Sequence, residues 1–285
     1  MNPVPPKKIL AIHDLSCIGR CSLSVIMPII SSMGIQVCPL PTAILSTHLG
    51  GFSTVCMNDF SSHIASFSAH WQREGLTFDS IYSGFLASAA QIELVSNLFD
   101  DFSANHPLIL VDPVMGDNGK LYSLYTEQMQ EQIKHLVCKA DIITPNYTEA
   151  CFLLGQVFQP IVERPELLEP WLRDLADMGP SRIVVTGVLL PNQTVANLSY
   201  DRYSNQFHYN TCKLVPTRYP GTGDVFASVL LGNLLRGASL ATAVARAGSF
   251  VFSAVQLTYA AGTPSREGIL LEPALKNLLE ENYNE

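Results

Sequence analysis

The residues Gly221-Thr222-Gly223-Asp224 run straight into the apolar stretch Val225 to Leu235. Glycines let a backbone approach a ligand closely and adopt positive φ. The first amides of a following helix lack intrahelical acceptors and carry the positive end of its dipole, which makes an anion site. An aspartate at that helix start can take a proton from a substrate hydroxyl, next to where transferring phosphate charge is stabilised. An ordinary glycine turn with Asp224 as N-cap accounts for the same four residues.

Two further segments carry oxygen ligands. Val111-Asp112-Pro113-Val-Met-Gly116-Asp117-Asn-Gly119 delivers Asp112 at the end of an apolar run that Pro113 stops. Ile143-Thr144-Pro-Asn146-Tyr-Thr-Glu149 does the same with Thr144. Asn146 and Glu149 are three apart, so on a helical turn they face the same way. Carboxylate and amide oxygens suit Mg2+ bound through waters. Taken singly, Asp112 also reads as a turn aspartate, and Glu149 as a first-turn acid balancing the dipole. Other chemistries lack their motifs. Gly116-Asp-Asn-Gly-Lys120 has the wrong spacing for a Walker A loop, and the third glycine of a dinucleotide fingerprint is missing. HExxH and GxSxG do not occur, and the seven histidines are scattered.

The surrounding pattern supplies elements to position these residues. Strands are predicted over 8–12, 35–40, 78–85, 108–112, 141–144 and 182–186. Helices are predicted over 22–33 (with Pro28 inside), 59–74, 88–104, 126–138, 149–154, 166–178, 224–235, 239–257 and 272–281. Asp59 is the expected N-cap of the second helix, with Ile64, Phe67 and Trp71 on its buried face and Gly75 as its stop. Residues 42–54 read as a loop. Val195–Tyr200 and Gln206–Tyr209, joined by Asp201–Asn205, read as an antiparallel hairpin at a sheet edge. Strands alternating with helices predict a parallel α/β layer sandwich, with residues 1–285 as one domain. In such sheets ligands bind at the carboxyl ends of strands, where Asp14, Ser16, Asp112, Thr144, Asn146 and Thr186 are placed.

Composition narrows the classes. The 285 residues are 47% hydrophobic and only 15% charged, which excludes disorder and coiled coil. Seventeen basic against 25 acidic residues leave a net charge of −8. An acidic chain without a basic run is a poor nucleic-acid or anionic-membrane binder. The seven cysteines sit singly with no CxxC, which fits reduced thiols rather than a zinc site. His13 and Asp14 interrupt the first apolar run, so it does not read as a signal peptide. Val225–Leu235 is far too short to cross a membrane. A soluble, cytoplasmic protein is expected.

Together these segments resemble the ribokinase-like superfamily and, within it, the pyridoxal (vitamin B6) kinases. The resemblance runs over nearly the whole chain: the opening strand with its Asp14/Ser16 loop, Leu45-Ser-Thr-His-Leu-Gly-Gly51, Ser83-Gly-Phe-Leu-Ala-Ser88, Asp112-Pro-Val-Met-Gly116, Ile143-Thr-Pro-Asn146 with Glu149, Val184-Val-Thr186, and Gly221-Thr-Gly-Asp224. It implies a three-layer α/β/α sandwich and transfer of the γ-phosphoryl of ATP to the 5′-hydroxymethyl of pyridoxal, pyridoxine or pyridoxamine. Asp224 would be the base, with Gly221, Thr222 and Gly223 as the anion hole. Asp112 and Glu149 would organise Mg2+, and Asp112, Asp117, Thr144, Asn146, Glu149 and Thr186 would hold the nucleotide. Asp14, Ser16, Thr47, His48, Ser83, Gly84 and Phe85 would line the vitamer pocket, and residues 116–125 would form a flap. The resemblance also implies a homodimer and leaves a monovalent cation such as K+ open.

The chain departs from the family pattern at three places. Asp14 stands where a serine on the ring nitrogen is common, Phe85 where a tyrosine is frequent, and Leu49 where many members have threonine. These bear on vitamer choice rather than fold. Three other readings stay open: a hydroxymethylpyrimidine (phosphate) kinase, a sugar kinase, and a non-catalytic relative that only binds vitamer or nucleotide. Residues 14–60 leave little room for the extra sheet of the sugar kinases, and intact Asp224, Asp112 and Glu149 argue against a dead relative.

Overall fold

The structure, a computed structural model, describes residues 5–278. In chain order the elements are β1 (Lys8–Ser16), α1 (Leu23–Ser32), β2 (Gln36–Leu45), β3 (Met57–Asp59), α2 (Ser61–Arg73), β4 (Ser80–Ser83), α3 (Ala89–Asp101), β5 (Leu108–Val111), β6 (Gly116–Asp117), β7 (Lys120–Leu121), α4 (Glu127–Cys138), β8 (Ile142–Ile143), α5 (Tyr147–Leu154), α6 (Glu169–Asp177), β9 (Arg182–Leu190), β10 (Thr194–Asp201), β11 (Gln206–Lys213), α7 (Thr222–Leu235) and α8 (Leu240–Ala261).

Nine of the described strands form one sheet in the order β11-β10-β9-β8-β5-β4-β1-β2-β3. The six from β9 to β2 are parallel, and both edges are closed by antiparallel pairing, β9-β10-β11 at one and β2-β3 at the other. The strands β1, β4, β5 and β8 are buried on both faces, so they read as apolar runs without alternation. Residues from α2 to α6 cover one face around Leu10, Ile81 and Val111, and α1, α7 and α8 cover the other around Ile9, Tyr82 and Leu110. The architecture is the three-layer α/β/α sandwich with a mainly parallel sheet.

Helix α7 is buried nearly all round, from Val225 through Leu231. A helix apolar on every side belongs in an interior, and each fully buried Leu or Val there contributes ~1.5–3 kcal/mol. Its first turn is thereby fixed above the carboxyl ends of the strands. Helix α8 is long and apolar enough to cross a bilayer by length and composition. Its Leu240, Ala243, Val244, Ala247 and Phe250 lie in the same core cluster as α7.

Several boundaries differ from the sequence reading. β2 runs on to Leu45 and pairs with the short β3, so the expected 42–54 loop begins only after Leu45. Phe60, not Asp59, occupies the N-cap of α2, while Asp59 Oδ1 accepts the Ser61 amide at 2.6 Å. Phe67 is exposed; Ile64 and Ser68 are the buried positions of that helix. β9 extends to Leu190, and α5 starts at Tyr147 because Asn146 caps it. The expected terminal helix 272–281 has one described turn, 275–278, and the rest lies outside the described residues.

Candidate active site

The sheet gathers polar residues where β4, β5 and β8 end, and β1 carries Asp14 and Ser16 near its own end. Thr186, expected after a strand end, lies within β9, which runs on to Leu190 into the edge hairpin. The Gly84 amide donates to the Ile12 carbonyl (3.2 Å), the Asp112 amide to Ser83 (2.8 Å) and the Thr144 amide to Val111 (3.2 Å). A single bridge then pairs Asn146 with Thr186. This ladder sets the ends of β4, β5 and β8 beside Ile12 within β1 and Thr186 within β9. Chain order reverses at β1, which neighbours both β2 and β4, and such a switch point is where open α/β sheets bind ligands.

Asp14 sits where the β1–β2 register shifts, between His13 and Leu15. It is 5% exposed, and its carboxylate accepts Ser22 Oγ at 2.6 Å on Oδ1 and Ser16 Oγ at 3.1 Å on Oδ2. Burial raises its pKa, against the lowering effect of the two hydroxyls. Ser22 is the N-cap of α1 and holds φ 51°, a left-handed conformation rare for a residue with a Cβ. Its amide donates to Asp224 Oδ2 at 2.8 Å.

Asp224 lies in the first turn of α7, whose N-cap is Gly221 with φ 82°. A Cβ on Gly221 would stand 2.1 Å from the Arg20 carbonyl oxygen, so both the conformation and the space demand glycine. The first intrahelical acceptor, the Gly221 carbonyl, serves Val225, which leaves the preceding amides of the turn for a ligand. A Cβ on Gly223 would be 3.8 Å from Asp112 Oδ2, so the β5 carboxylate stands beside that turn. Thr222 Oγ1 donates back to Tyr219 at 3.3 Å. Packing around Asp224 pushes its carboxyl up to about 7; the Ser22 amide pulls it down and Asp14 pushes it further up.

Asn146 and Glu149 form a capping box. Asn146 Oδ1 accepts the Glu149 amide (3.0 Å), and Glu149 Oε2 accepts the Asn146 amide (2.8 Å). Glu149 Oε1 accepts the Met115 amide at 2.9 Å, and Asn146 Nδ2 donates to the Gly116 carbonyl at 2.8 Å. The pair therefore orients the chain that follows Asp112. Glu149 is 2% exposed, and burial pushes it up to about 7 despite its backbone donors. Burial, then the charges of Glu149 and Asp224, raises Asp112 well above the usual carboxylate range. These oxygens are hard donors with too much negative charge for their setting, which fits Mg2+. Among the described residues no group of three or more His, Cys, Asp and Glu side chains is set to hold a metal ion by itself. Mg2+ usually keeps waters and phosphates as its remaining ligands.

The other expected residues are placed as follows. Thr144 Oγ1, Ser83 Oγ and Thr47 Oγ1 are buried without a protein partner. Thr186 donates its amide to Pro145 at 3.0 Å. Phe85 is nearly buried, and its carbonyl accepts Thr42 Oγ1 at 3.4 Å. His48 is engaged at both ring nitrogens: Nδ1 accepts the Gly50 amide (3.0 Å), and Nε2 lies 2.6 Å from the Arg266 carbonyl. Those contacts staple the 46–51 loop to the 265–267 turn. Asp117 belongs to the two-residue hairpin β6–β7, paired with Lys120, and its Oδ2 accepts Arg218 Nη1 at 2.9 Å. Burial and then the charges of Glu149, Asp117, Asp112 and Asp224 raise the Tyr122 phenol, and the Tyr122 amide donates to the Met115 carbonyl at 2.9 Å.

Ser22, His13 and Arg218 were not singled out from sequence. His13 is buried against Tyr82, with ring centroids 4.3 Å apart, and its ring fills the space a Cβ on Gly84 would need. Burial drives its pKa down to about 3, so it is neutral. A lone histidine in an apolar strand carries no periodic signal, and neither a positive φ at Ser22 nor the reach of Arg218 can be read from residue type.

A family model described as phosphomethylpyrimidine kinase matches residues 32–267. This chain belongs to that family. A Bacteroides thetaiotaomicron protein provisionally named a phosphomethylpyrimidine kinase is 42% identical, with a TM-score of 0.93 over 98% of this chain and 96% of its own. A second crystal form of it contains pyridoxal and superimposes with a TM-score of 0.91, covering 96% of each chain. Pyridoxal kinase from Lactobacillus plantarum is 33% identical, covers 98% of both chains and has a TM-score of 0.88. A pyridoxine/pyridoxal/pyridoxamine kinase of Bordetella avium is 28% identical over 91% of this chain and 90% of its own. The relatives are kinases named for phosphomethylpyrimidine and for pyridoxal, and the fold described above is that of these kinases.

Proposed function

We propose that this protein phosphorylates the 5′-hydroxymethyl group of pyridoxal, pyridoxine or pyridoxamine with ATP. The observation that carries the reaction is Asp224, held by the Ser22 amide at 2.8 Å in the open first turn of α7. A carboxyl near pH 7 is matched to taking a proton from an alcohol. As the hydroxyl oxygen attacks the γ-phosphorus, its proton passes to Asp224. The γ-phosphorus bond to the bridging oxygen breaks, and ADP leaves. The amides of Gly221, Thr222 and Gly223 stabilise the charge on the transferring group. The vitamer is supported by the full-length relatives that act on or contain B6 vitamers.

The remaining roles belong to the same reading. Asp112 would hold Mg2+ directly, and Glu149, whose oxygens are spent on backbone amides, would act on it through water. Bound there, Mg2+ neutralises phosphate charge. Thr144, Asn146, Asp117 and Thr186 line the nucleotide side; Ser16, Thr47, Ser83, Gly84 and Phe85 line the vitamer side, with His48 fixing the loop. Asp14 faces the pyridine nitrogen in place of serine. A homodimer, cytoplasmic location and dependence on a monovalent cation such as K+ complete the proposal; light scattering and a K+ titration of turnover test two of these.

The deciding experiment measures ADP release with Mg·ATP and, separately, pyridoxal, pyridoxine, pyridoxamine, hydroxymethylpyrimidine and ribose. Turnover on the vitamers is expected. Turnover on hydroxymethylpyrimidine alone would transfer the substrate to the pyrimidine, and vitamer binding without turnover on any alcohol would leave a binding protein.

A further inference from the structure

Four carboxylates stand around the strand ends: Asp224 in the first turn of α7, Asp112 with its Oδ2 beside Gly223 of that turn, Glu149 bound to the Met115 amide that follows Asp112, and Asp117 on β6. A nucleoside triphosphate brings several more negative charges into the same space. One cation is tied to this rim by a side-chain bond: Arg218 Nη1 donates to Asp117 Oδ2 at 2.9 Å. Arg218 lies three residues before Gly221, in the segment joining β11 to α7. Asp117 lies on β6, five residues after Asp112. The ion pair therefore joins the β6–β7 hairpin to the segment that leads into the first turn of α7, with 68% of the arginine side chain and 51% of the aspartate exposed.

Exposed carboxylate pairs of this kind contribute little, because water solvates both charges. A guanidinium bound to phosphate oxygens makes charge-assisted and often bidentate bonds. Asp117 also has alternative donors, the Asn118 amide at 2.8 Å and Asn118 Nδ2 at 3.0 Å, so it is not left bare when Arg218 departs. The guanidinium thereby exchanges a single carboxylate bond for phosphate oxygens, and Asp117 keeps the Asn118 donors.

We infer that Arg218 is a phosphate-positioning residue: parked on Asp117 in the free protein, it swings to the polyphosphate of the entering nucleotide. No bond is made or broken in this step beyond the exchange of hydrogen-bond acceptors. The inference rests on the nucleotide-binding part of the reading above and needs no vitamer.

The test is calorimetric binding of adenosine, ADP and Mg·ATP to wild type, Arg218→Ala, Arg218→Lys, Asp117→Asn and the Asp117→Asn/Arg218→Ala double variant. Arg218→Ala is expected to weaken ADP and Mg·ATP about tenfold while leaving adenosine within about twofold, since adenosine lacks the phosphates. Arg218→Lys should recover part of the loss, as a point charge replaces a fork. The loss on Arg218→Ala should persist in the Asp117→Asn background. Unchanged Mg·ATP affinity, equal weakening of adenosine and ATP, or a loss that vanishes once Asp117 is neutral would each overturn the inference. Wild-type protein that binds ATP but phosphorylates no vitamer overturns the proposed substrate and leaves the Arg218 result standing; wild type that binds no adenine nucleotide overturns both.

Discussion

Ser22 joins Asp14 to Asp224: its hydroxyl donates to Asp14 Oδ1 at 2.6 Å, and its amide donates to Asp224 Oδ2 at 2.8 Å. One residue, 202 positions from the proposed base, thus orients both that base and the carboxylate proposed for the vitamer side. The arrangement depends on φ 51° at Ser22, which turns amide and hydroxyl toward two different acceptors.

Ser22→Gly separates those two links. Glycine tolerates the positive φ and keeps the amide, so only the Asp14 bond is lost. Vitamer KM is expected to rise severalfold with kcat within about threefold, because a single hydroxyl–carboxylate bond contributes ~1.5–3 kcal/mol at most. Steady-state kinetics decide it, and an equal fall in kcat would mean that the hydroxyl, too, serves Asp224.

Asp224→Ala should lower kcat by about 10²–10⁴-fold, the range for a lost general base, with little change in ADP affinity. In wild type, kcat/KM should rise with pH and level off above about 7, as the carboxyl ionises. Asp224→Ala should lack that limb. Near-normal turnover in the variant removes Asp224 as the base.

Stability of the free protein should fall as pH rises from about 4 to about 7. Asp224 and Glu149 ionise near pH 4 when unfolded but only near 7 when folded, so in that window the native state holds more protons. The stability they contribute is full below the unfolded values and is lost as pH passes through the folded ones. Two such groups, discounted for the open side of Asp224, amount to a few kcal/mol. Thermal melts of wild type and Asp224→Asn across this range check it; identical slopes would count against a raised Asp224.

Glu149→Gln should raise the Mg2+ concentration needed for half-maximal turnover. It should also lower stability by ~1–3 kcal/mol, because a glutamine offers one acceptor oxygen where Glu149 serves the Met115 and Asn146 amides with two. A Mg2+ titration and a melt separate the two effects. An unchanged titration with a lowered melt would assign Glu149 to the capping box alone.

Asp14→Ser should change the ratio of pyridoxal to pyridoxamine turnover, since it removes the charge that a protonated ring nitrogen would meet. Identical ratios would move Asp14 out of the ring site.

Much of this was legible from local chemistry. Gly221-Thr-Gly-Asp224 before an apolar run specifies a helix start with open amides, because positive φ and absent intrahelical acceptors are properties of residue type and position. Proline after Asp112 and Thr144 marks where strands must stop, whereas the spacing of Asn146 and Glu149 indicates a shared helical face and not the capping box that starts α5 two residues before Glu149. Alternating short apolar runs and amphipathic stretches imply a layered parallel sheet, because a two-sided buried strand needs helices on both faces.

Other features needed the packed chain. The pairing of β2 with β3, the staple made by both nitrogens of His48, the His13 ring beneath Gly84 and the Arg218–Asp117 pair all join residues that are set together only by the order of strands. The raised carboxyls are likewise a tertiary effect: desolvation and like charge act through distance in space, and sequence spacing does not report that distance. Residue types and local spacing thus determined the α/β class, the stops of β5 and β8 before their prolines and the open helix start. The tertiary structure alone decided that Ser22 ties Asp14 to Asp224, because a backbone amide has no identity until the fold aims it.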